Sequence, residues 1–141
     1  MLIDANILLF AVDAQSVHHE RAATWLTAQL NGDRRVGLPW ESLLAFVRVS
    51  THPRASDEPL TPAQAWTFVE EWLAVPPVWT PLPTERHAAV LGGLLTKYNL
   101  GGNLVPDAQL AALAIQHGLE ICSADTDFAR FSEVRWLNPI A

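Results

Sequence analysis

The 141-residue chain holds one cysteine, Cys122, and one lysine, Lys97. A lone thiol cannot close an internal disulfide, which fits a reducing compartment and points to the cytoplasm. The scarcity of lysine leaves eight arginines as the other cations against fifteen acids, for a formal charge of −6. Such a chain does not attract nucleic acid in bulk. It does not exclude nucleic acid either, because acids that hold metal ions count as negative only until the metals arrive. Long apolar runs are also missing: none approaches the roughly 20 residues of a membrane span. The chain opens on a strand-like run with no room for a signal peptide, so no membrane anchor or leader is expected. Only 17% of residues are charged and half are apolar, which excludes a disordered chain. One domain over residues 1–141 is expected, burying about two-thirds of its unfolded surface. Six tryptophans are many for this length, so part of the apolar surface is expected to meet a partner chain.

Strand-like and helix-like segments alternate along the chain. The apolar opening Met1-Leu2-Ile3 runs into Asp4 and a short apolar helix. His18 to Asn31 reads as an amphipathic helix with Ala22, Ala23, Trp25, Leu26 and Leu30 on its apolar face. Residues 35–38 are a short strand weakened by Gly37, and Pro39 starts a helix in which Leu44, Val47 and Phe46 are expected to face inward. The polar, proline-rich stretch 52–59 is a loop. Thr61-Pro62 opens a helix that Pro76-Pro77 ends; residues 78–80 form a strand, and Thr84 caps a helix to Tyr98. A glycine-containing loop, 99–105, precedes a strong helix from Pro106 to His117, closed by Gly118. Residues 119–123 are a buried strand, 127–131 a helical turn and 134–137 a last strand. This alternation predicts an α/β domain with a mostly parallel sheet, right-handed crossovers and helices on both faces.

In a parallel sheet the strand C-termini and the N-termini of the following helices share one edge. Asp4 ends the first strand, Glu41 and Asp107 lie in first turns of helices, and Asp125 follows the 119–123 strand with Asp127 two residues on. Taken singly, an acid in a first turn is more often a cap or dipole partner than a ligand, and Asp125 with Asp127 suits an Asx-type turn. Together these carboxylates would repel one another unless cations sat between them. An all-oxygen site of this kind suits Mg²⁺ or Mn²⁺ working on phosphates. The chemistry that needs it is in-line displacement at phosphorus, with one metal activating water and one stabilising the leaving oxygen.

The motifs Leu2-Ile3-Asp4-Ala5-Asn6-Ile7-Leu8-Leu9-Phe10-Ala11, Trp40-Glu41-Ser42 leading to Phe46-Val47-Arg48-Val49-Ser50-Thr51, Pro106-Asp107-Ala108-Gln109-Leu110-Ala111-Ala112-Leu113-Ala114 and Cys122-Ser123-Ala124-Asp125-Thr126-Asp127-Phe128-Ala129-Arg130-Phe131 span nearly the whole chain. In this order they resemble the PIN-domain family, specifically the VapC-type toxin ribonucleases of bacterial toxin–antitoxin modules. The resemblance implies a five-stranded parallel sheet and a pocket of Asp4, Glu41, Asp107 and Asp125 that cleaves RNA with Mg²⁺ or Mn²⁺, leaving a 5′-phosphate. It implies that Asp4, Asp107 and Asp125 hold a metal, that Glu41 orients or deprotonates water or holds a second metal, and that Asn6 positions ligands. Asp127 matches a supporting position, and Ser123 stands where the family often has Thr. An Arg is also part of the family pattern at Arg48, where a phosphate contact and a structural ion pair are both open. The resemblance further implies a homodimer and a cognate antitoxin wrapped over helices and pocket, for which Trp66, Trp72 and Trp79 are interface or core candidates.

Other readings fit less well. A haloacid-dehalogenase-like phosphatase needs a second Asp where Asn6 stands, and a receiver domain needs an acidic pair before its first helix. The five histidines are scattered with no metal spacing. A PIN-like module that binds RNA or protein without cutting is the remaining alternative, yet none of the four acids is missing.

Overall fold

A computed structural model of the chain describes residues 1–54 and 57–141; Ala55 and Ser56, in the expected polar loop, lie outside the described residues. The centre is a sheet of five very short strands: β1 (Leu2–Ile3), β2 (Val36–Gly37), β3 (Val78–Trp79), β4 (Ile121–Cys122) and β5 (Trp136–Leu137). They lie in the order β3-β2-β1-β4-β5 and every pairing is parallel. Helices α1 (Ala5–Val12) and α2 (His19–Leu30) connect β1 to β2, α3 (Trp40–Ser50) and α4 (Pro62–Ala74) connect β2 to β3, and α5 (His87–Lys97) and α6 (Val105–His117) connect β3 to β4. The expected α/β architecture with a parallel sheet is what forms. No described helix is long and apolar enough to cross a membrane.

Strand side chains alternate between faces, so β1 and β4 each feed two cores. Ile3, Val36 and Cys122 join Leu8, Leu43, Phe46 and Trp72 beneath α1 to α4. Leu2 and Ile121 join Leu113, Phe128 and Phe131 beneath α5 and α6. The chain winds outward from β1 to β3, then returns to add β4 and β5 on the other side of β1. With crossovers of one hand, that reversal moves the helices to the opposite face. It also opens a crevice at the carboxyl ends of β1 and β4, where neighbouring connections diverge.

Two glycines are dictated by this packing. A Cβ on Gly37 would sit 2.8 Å from the Met1 carbonyl oxygen, 3.0 Å from Pro81 Cγ and 3.2 Å from Leu2 Cδ1, so only glycine lets β2 lie this close to β1. Gly118 adopts φ +64° and closes α6 in a left-handed cap. Between α5 and α6, Gln116 Nε2 donates to His87 Nδ1 at 2.7 Å, and His87 Nε2 meets Gln109 Oε1 at 2.8 Å. That clamp fixes the register of α6, whose first turn carries Asp107.

Several expectations are corrected. Leu44 is 57% exposed, and the inward stripe of α3 is Leu43 with Phe46, flanked by Val47. Leu44 lies one residue past that stripe, a rotation of about 100°. Helix α5 begins at His87, not beside Thr84: the Thr84 hydroxyl accepts the Arg86 N–H at 3.2 Å in a turn ahead of the helix, while its N–H and hydroxyl donate to Gln116 Oε1 at 2.9 and 2.7 Å. The expected 99–105 loop contains a 3₁₀ turn, Gly102–Leu104, that runs directly into α6. Strand β4 starts after Leu119 because the Leu119 N–H closes the end of α6 on Ala114 O at 2.9 Å. The tryptophans divide. Trp72 is buried against Phe46, Trp79 is half-buried under the Arg35 guanidinium, and Trp66 is 41% exposed and stacked on Trp40.

Candidate metal centre

Each acid singled out in the sequence sits at the C-terminal rim of the sheet. Asp4 leaves β1 and caps α1, its Oδ1 accepting the Ala5 N–H at 2.8 Å. Asp125 follows β4 and begins the 3₁₀ turn Thr126–Arg130; its Oδ1 accepts the Asp127 N–H at 2.8 Å in the anticipated Asx-type arrangement. Helix α6 runs back against β4, so its N-terminus and Asp107 return to the same edge. Glu41 is in the first turn of α3, beyond β2.

Ser123 ties the ends of β1 and β4 together. Its hydroxyl donates to Asp4 Oδ2 at 2.7 Å and accepts from Asn6 Nδ2 and the Asp125 N–H, both at 3.0 Å. The one donor and two lone pairs of the hydroxyl are thereby all used. Asn6 Nδ2 also reaches Asp4 Oδ2 at 3.3 Å, and its Oδ1 accepts the Ala124 N–H at 3.2 Å. Asn6 and Ser123 thus hold Asp4 and set the course of the chain into Asp125.

The tightest grouping differs from the expected one. Asp107, Asp125 and Asp127 each offer a carboxylate oxygen within 4.8 Å of the others. Asp127, expected only to support, stands in this group, whereas Asp4 and Glu41 stand outside it. The 3₁₀ turn brings Asp127 round beside Asp125, and spacing alone does not reveal so local a fold. Arg130 was not singled out from sequence, although its i, i+3 spacing from Asp127 in a helical turn was the available signal. Its Nη2 pairs with Asp127 Oδ1 at 3.2 Å and its Nε donates to the Asp127 carbonyl at 3.0 Å. Arg48 is exposed in the last turn of α3 and makes no ion pair with a described residue.

Electrostatics mark the rim as strained for anions. Asp107 is pushed up to about 6, first by burial and then by the charges of Asp125, Asp4 and Asp127, with Arg130 pulling the other way. The Asp4 carboxyl is raised by burial and, to a lesser extent, by Asp125, against the hydrogen bonds from Ser123 and Ala5. Glu41 Oε2 is buried and has no hydrogen-bond partner among the described residues. The Asp107 carboxylate likewise accepts no hydrogen bond from a described residue. Neither α3 nor α6 has a side-chain cap, while α4 carries a full capping box. At the start of α6 the Val105 N–H is taken by Gly102 O and Pro106 has no N–H, so it is at α3 that first-turn N–H groups, those of Trp40 and Glu41, donate to no described residue and stand open to an anion. Three converging carboxylates, an all-oxygen donor set and unpartnered acid oxygens fit a hard divalent cation.

A model of the PIN domain matches residues 1–134. The chain belongs to the PIN-domain family. Among its PIN-domain relatives, ribonuclease VapC37 of Mycobacterium tuberculosis is 47% identical over 140 residues, covering 99% of this chain and 97% of the relative. Ribonuclease VapC33 of the same species is 40% identical over 137 residues, covering 97% and 96%. Among solved PIN-fold structures, VapC20 of Mycobacterium tuberculosis, described as a sarcin-ricin loop cleaving toxin, superposes with TM-score 0.66 at 17% identity over 95% of this chain and 98% of that one. VapBC2 from Rickettsia felis, bound to a DNA fragment from its promoter, gives 0.68 at 15% identity, covering 97% and 96%. At those identities the solved structures share the fold alone.

Proposed function

We propose that this PIN-domain chain is a Mg²⁺- or Mn²⁺-dependent endoribonuclease and the toxin of a cytoplasmic toxin–antitoxin pair. The observation that carries the reading is the convergence of Asp107, Asp125 and Asp127 within 4.8 Å at the sheet's switch point, in a chain whose full-length relatives are named VapC ribonucleases. Asp107, Asp125 and Asp127 hold the cation, and Asp4 completes the site from β1 in the orientation set by Ser123 and Asn6. When bound, the divalent ion supplies Lewis acidity to the phosphate and makes water a better nucleophile. Glu41, with a free buried oxygen on the same rim, takes the proton from the attacking water. Water adds at phosphorus in line with the 3′-oxygen, the P–O3′ bond breaks, and the products carry a 5′-phosphate and a 3′-hydroxyl. The open N–H groups at the start of α3 favour the charge that gathers on the phosphate.

The partner is a cognate antitoxin, by likeness to relatives solved as VapBC complexes. A groove of about 440 Å³ lined by Leu9, Phe10, Val12, Phe46, Val49 and Leu60 offers apolar side chains a seat between α1 and α3. Exposed Leu44 and Trp66 suit a homodimer contact. The test is incubation of antitoxin-free protein with total cellular RNA and Mg²⁺ or Mn²⁺, beside lanes with EDTA or an Asp107→Asn variant. Discrete cleavage lost in both controls supports the nuclease. Folded protein that binds RNA and metal yet never cuts would instead make it a binding module.

A further inference from the structure

Arg130 stands on the acid rim with only part of its donor capacity used. Its Nε and Nη2 are engaged by the carbonyl and Oδ1 of Asp127, at 3.0 and 3.2 Å, while Nη1 donates to no described residue. A guanidinium carries five N–H donors in a rigid fork, so one edge of this fork is oriented and unspent. The side chain is 32% exposed. Three of the other eight cations are committed elsewhere. Lys97 pairs with Glu133, Arg21 donates to the carbonyls of Ile140 and Ala141, and Arg35 lies over Trp79. A chain of net charge −6 must nevertheless bring a polyanion up to a rim of carboxylates.

We propose that Arg130 is a substrate contact: its free guanidinium edge binds a non-bridging oxygen of the RNA phosphate at the acid rim, and its two bonds to Asp127 fix the direction of that edge. The inference rests on the ribonuclease reading above. A partly exposed i, i+3 ion pair contributes modestly to stability, whereas a pre-oriented fork matches a phosphate.

The test compares wild type with Arg130→Met, and with Arg130→Gln should the Met variant lose its fold by circular dichroism. Mn²⁺ affinity is measured by calorimetry with the metal alone. Cleavage of a single-stranded RNA oligonucleotide is followed in saturating Mn²⁺ across a salt series. Loss of one charged hydrogen-bonded contact should lower kcat/KM about tenfold, mainly through KM. It should also flatten the plot of log kcat/KM against log salt by about 0.7, the share of one phosphate on a single strand. An unchanged salt slope overturns the proposal, and a drop confined to Mn²⁺ affinity would show that Arg130 only braces Asp127. If wild type does not cut, the ribonuclease reading fails by itself. The same salt slope is then read from binding of the uncut RNA by fluorescence anisotropy, and absence of binding overturns the proposal too.

Discussion

Replacing Asp107 by Asn should stabilise the metal-free protein, which is the reverse of what removing a charged side chain from an ordinary ion pair would do. The Asp107 carboxyl is raised from 3.8 to about 6 by burial and by its acidic neighbours, so its ionised form is unfavourable in the folded state. That cost is fully present above pH 6, shrinks as the pH falls from about 6 towards 3.8, and vanishes below it. A shift of this size corresponds to at most about 3 kcal/mol. Because the side chain is partly exposed, solvent screening reduces the figure to about 1 kcal/mol. For a chain of this length that is a rise in Tm of about 3 °C. Thermal melts by circular dichroism in EDTA, from pH 4 to pH 8, would show the Asn variant melting higher at pH 7.5 and together with wild type near pH 4. Saturating Mn²⁺ should invert the order, since a ligand at a hundred times its Kd adds about 2.7 kcal/mol to whichever protein binds it. An Asn variant no more stable than wild type at pH 7.5 without metal would refute the reasoning.

Other expectations follow from single contacts. Gly37→Ala places a Cβ 2.8 Å from the Met1 carbonyl and should cost about 1–3 kcal/mol in urea unfolding; an unshifted midpoint would show that β1 and β2 can separate freely. Ser123→Ala removes the 2.7 Å donor to Asp4 and the acceptor for Asn6 and the Asp125 N–H. It should cost about 1–3 kcal/mol and reduce cleavage, whereas full activity would deny Asp4 its tether. The Cys122 thiol is buried and pushed up to about 12, so iodoacetamide at pH 8 should label it only after denaturation. Stoichiometric labelling of native protein would contradict its burial.

Much of the architecture could be read from local signals because strong stops bound the elements. Pro39, Pro76-Pro77 and Gly118 each end or start a helix where the chain does so, and the alternation of strands with helices leaves a parallel sheet as the economical arrangement. The four family motifs were legible for the same reason that the acids share a rim: strand ends and helix starts lie on one edge. What stayed hidden depends on non-local partners. Leu43 and Leu44 are chemically identical, and only the direction in which Phe46 meets Trp72 decides which one turns inward. Thr84 looks like a helix cap, but it closes a turn on the Arg86 N–H ahead of the helix and is anchored to Gln116, 32 residues on. The Gly37 strand looked weak until the Met1 carbonyl supplied the reason for a missing side chain. Asp127 joins Asp107 and Asp125 because a 3₁₀ turn folds it back, and Arg130 acquires meaning only beside it.

The most direct measurement is the position of the metal. Crystals grown with Mn²⁺ and measured at a wavelength sensitive to manganese should show an anomalous peak among Asp107, Asp125 and Asp127, with carboxylate oxygens at the short distances of a Mg²⁺-type site, about 2.1 Å. A peak held elsewhere, or none at saturating Mn²⁺ with the three carboxylates still together, would contradict the account.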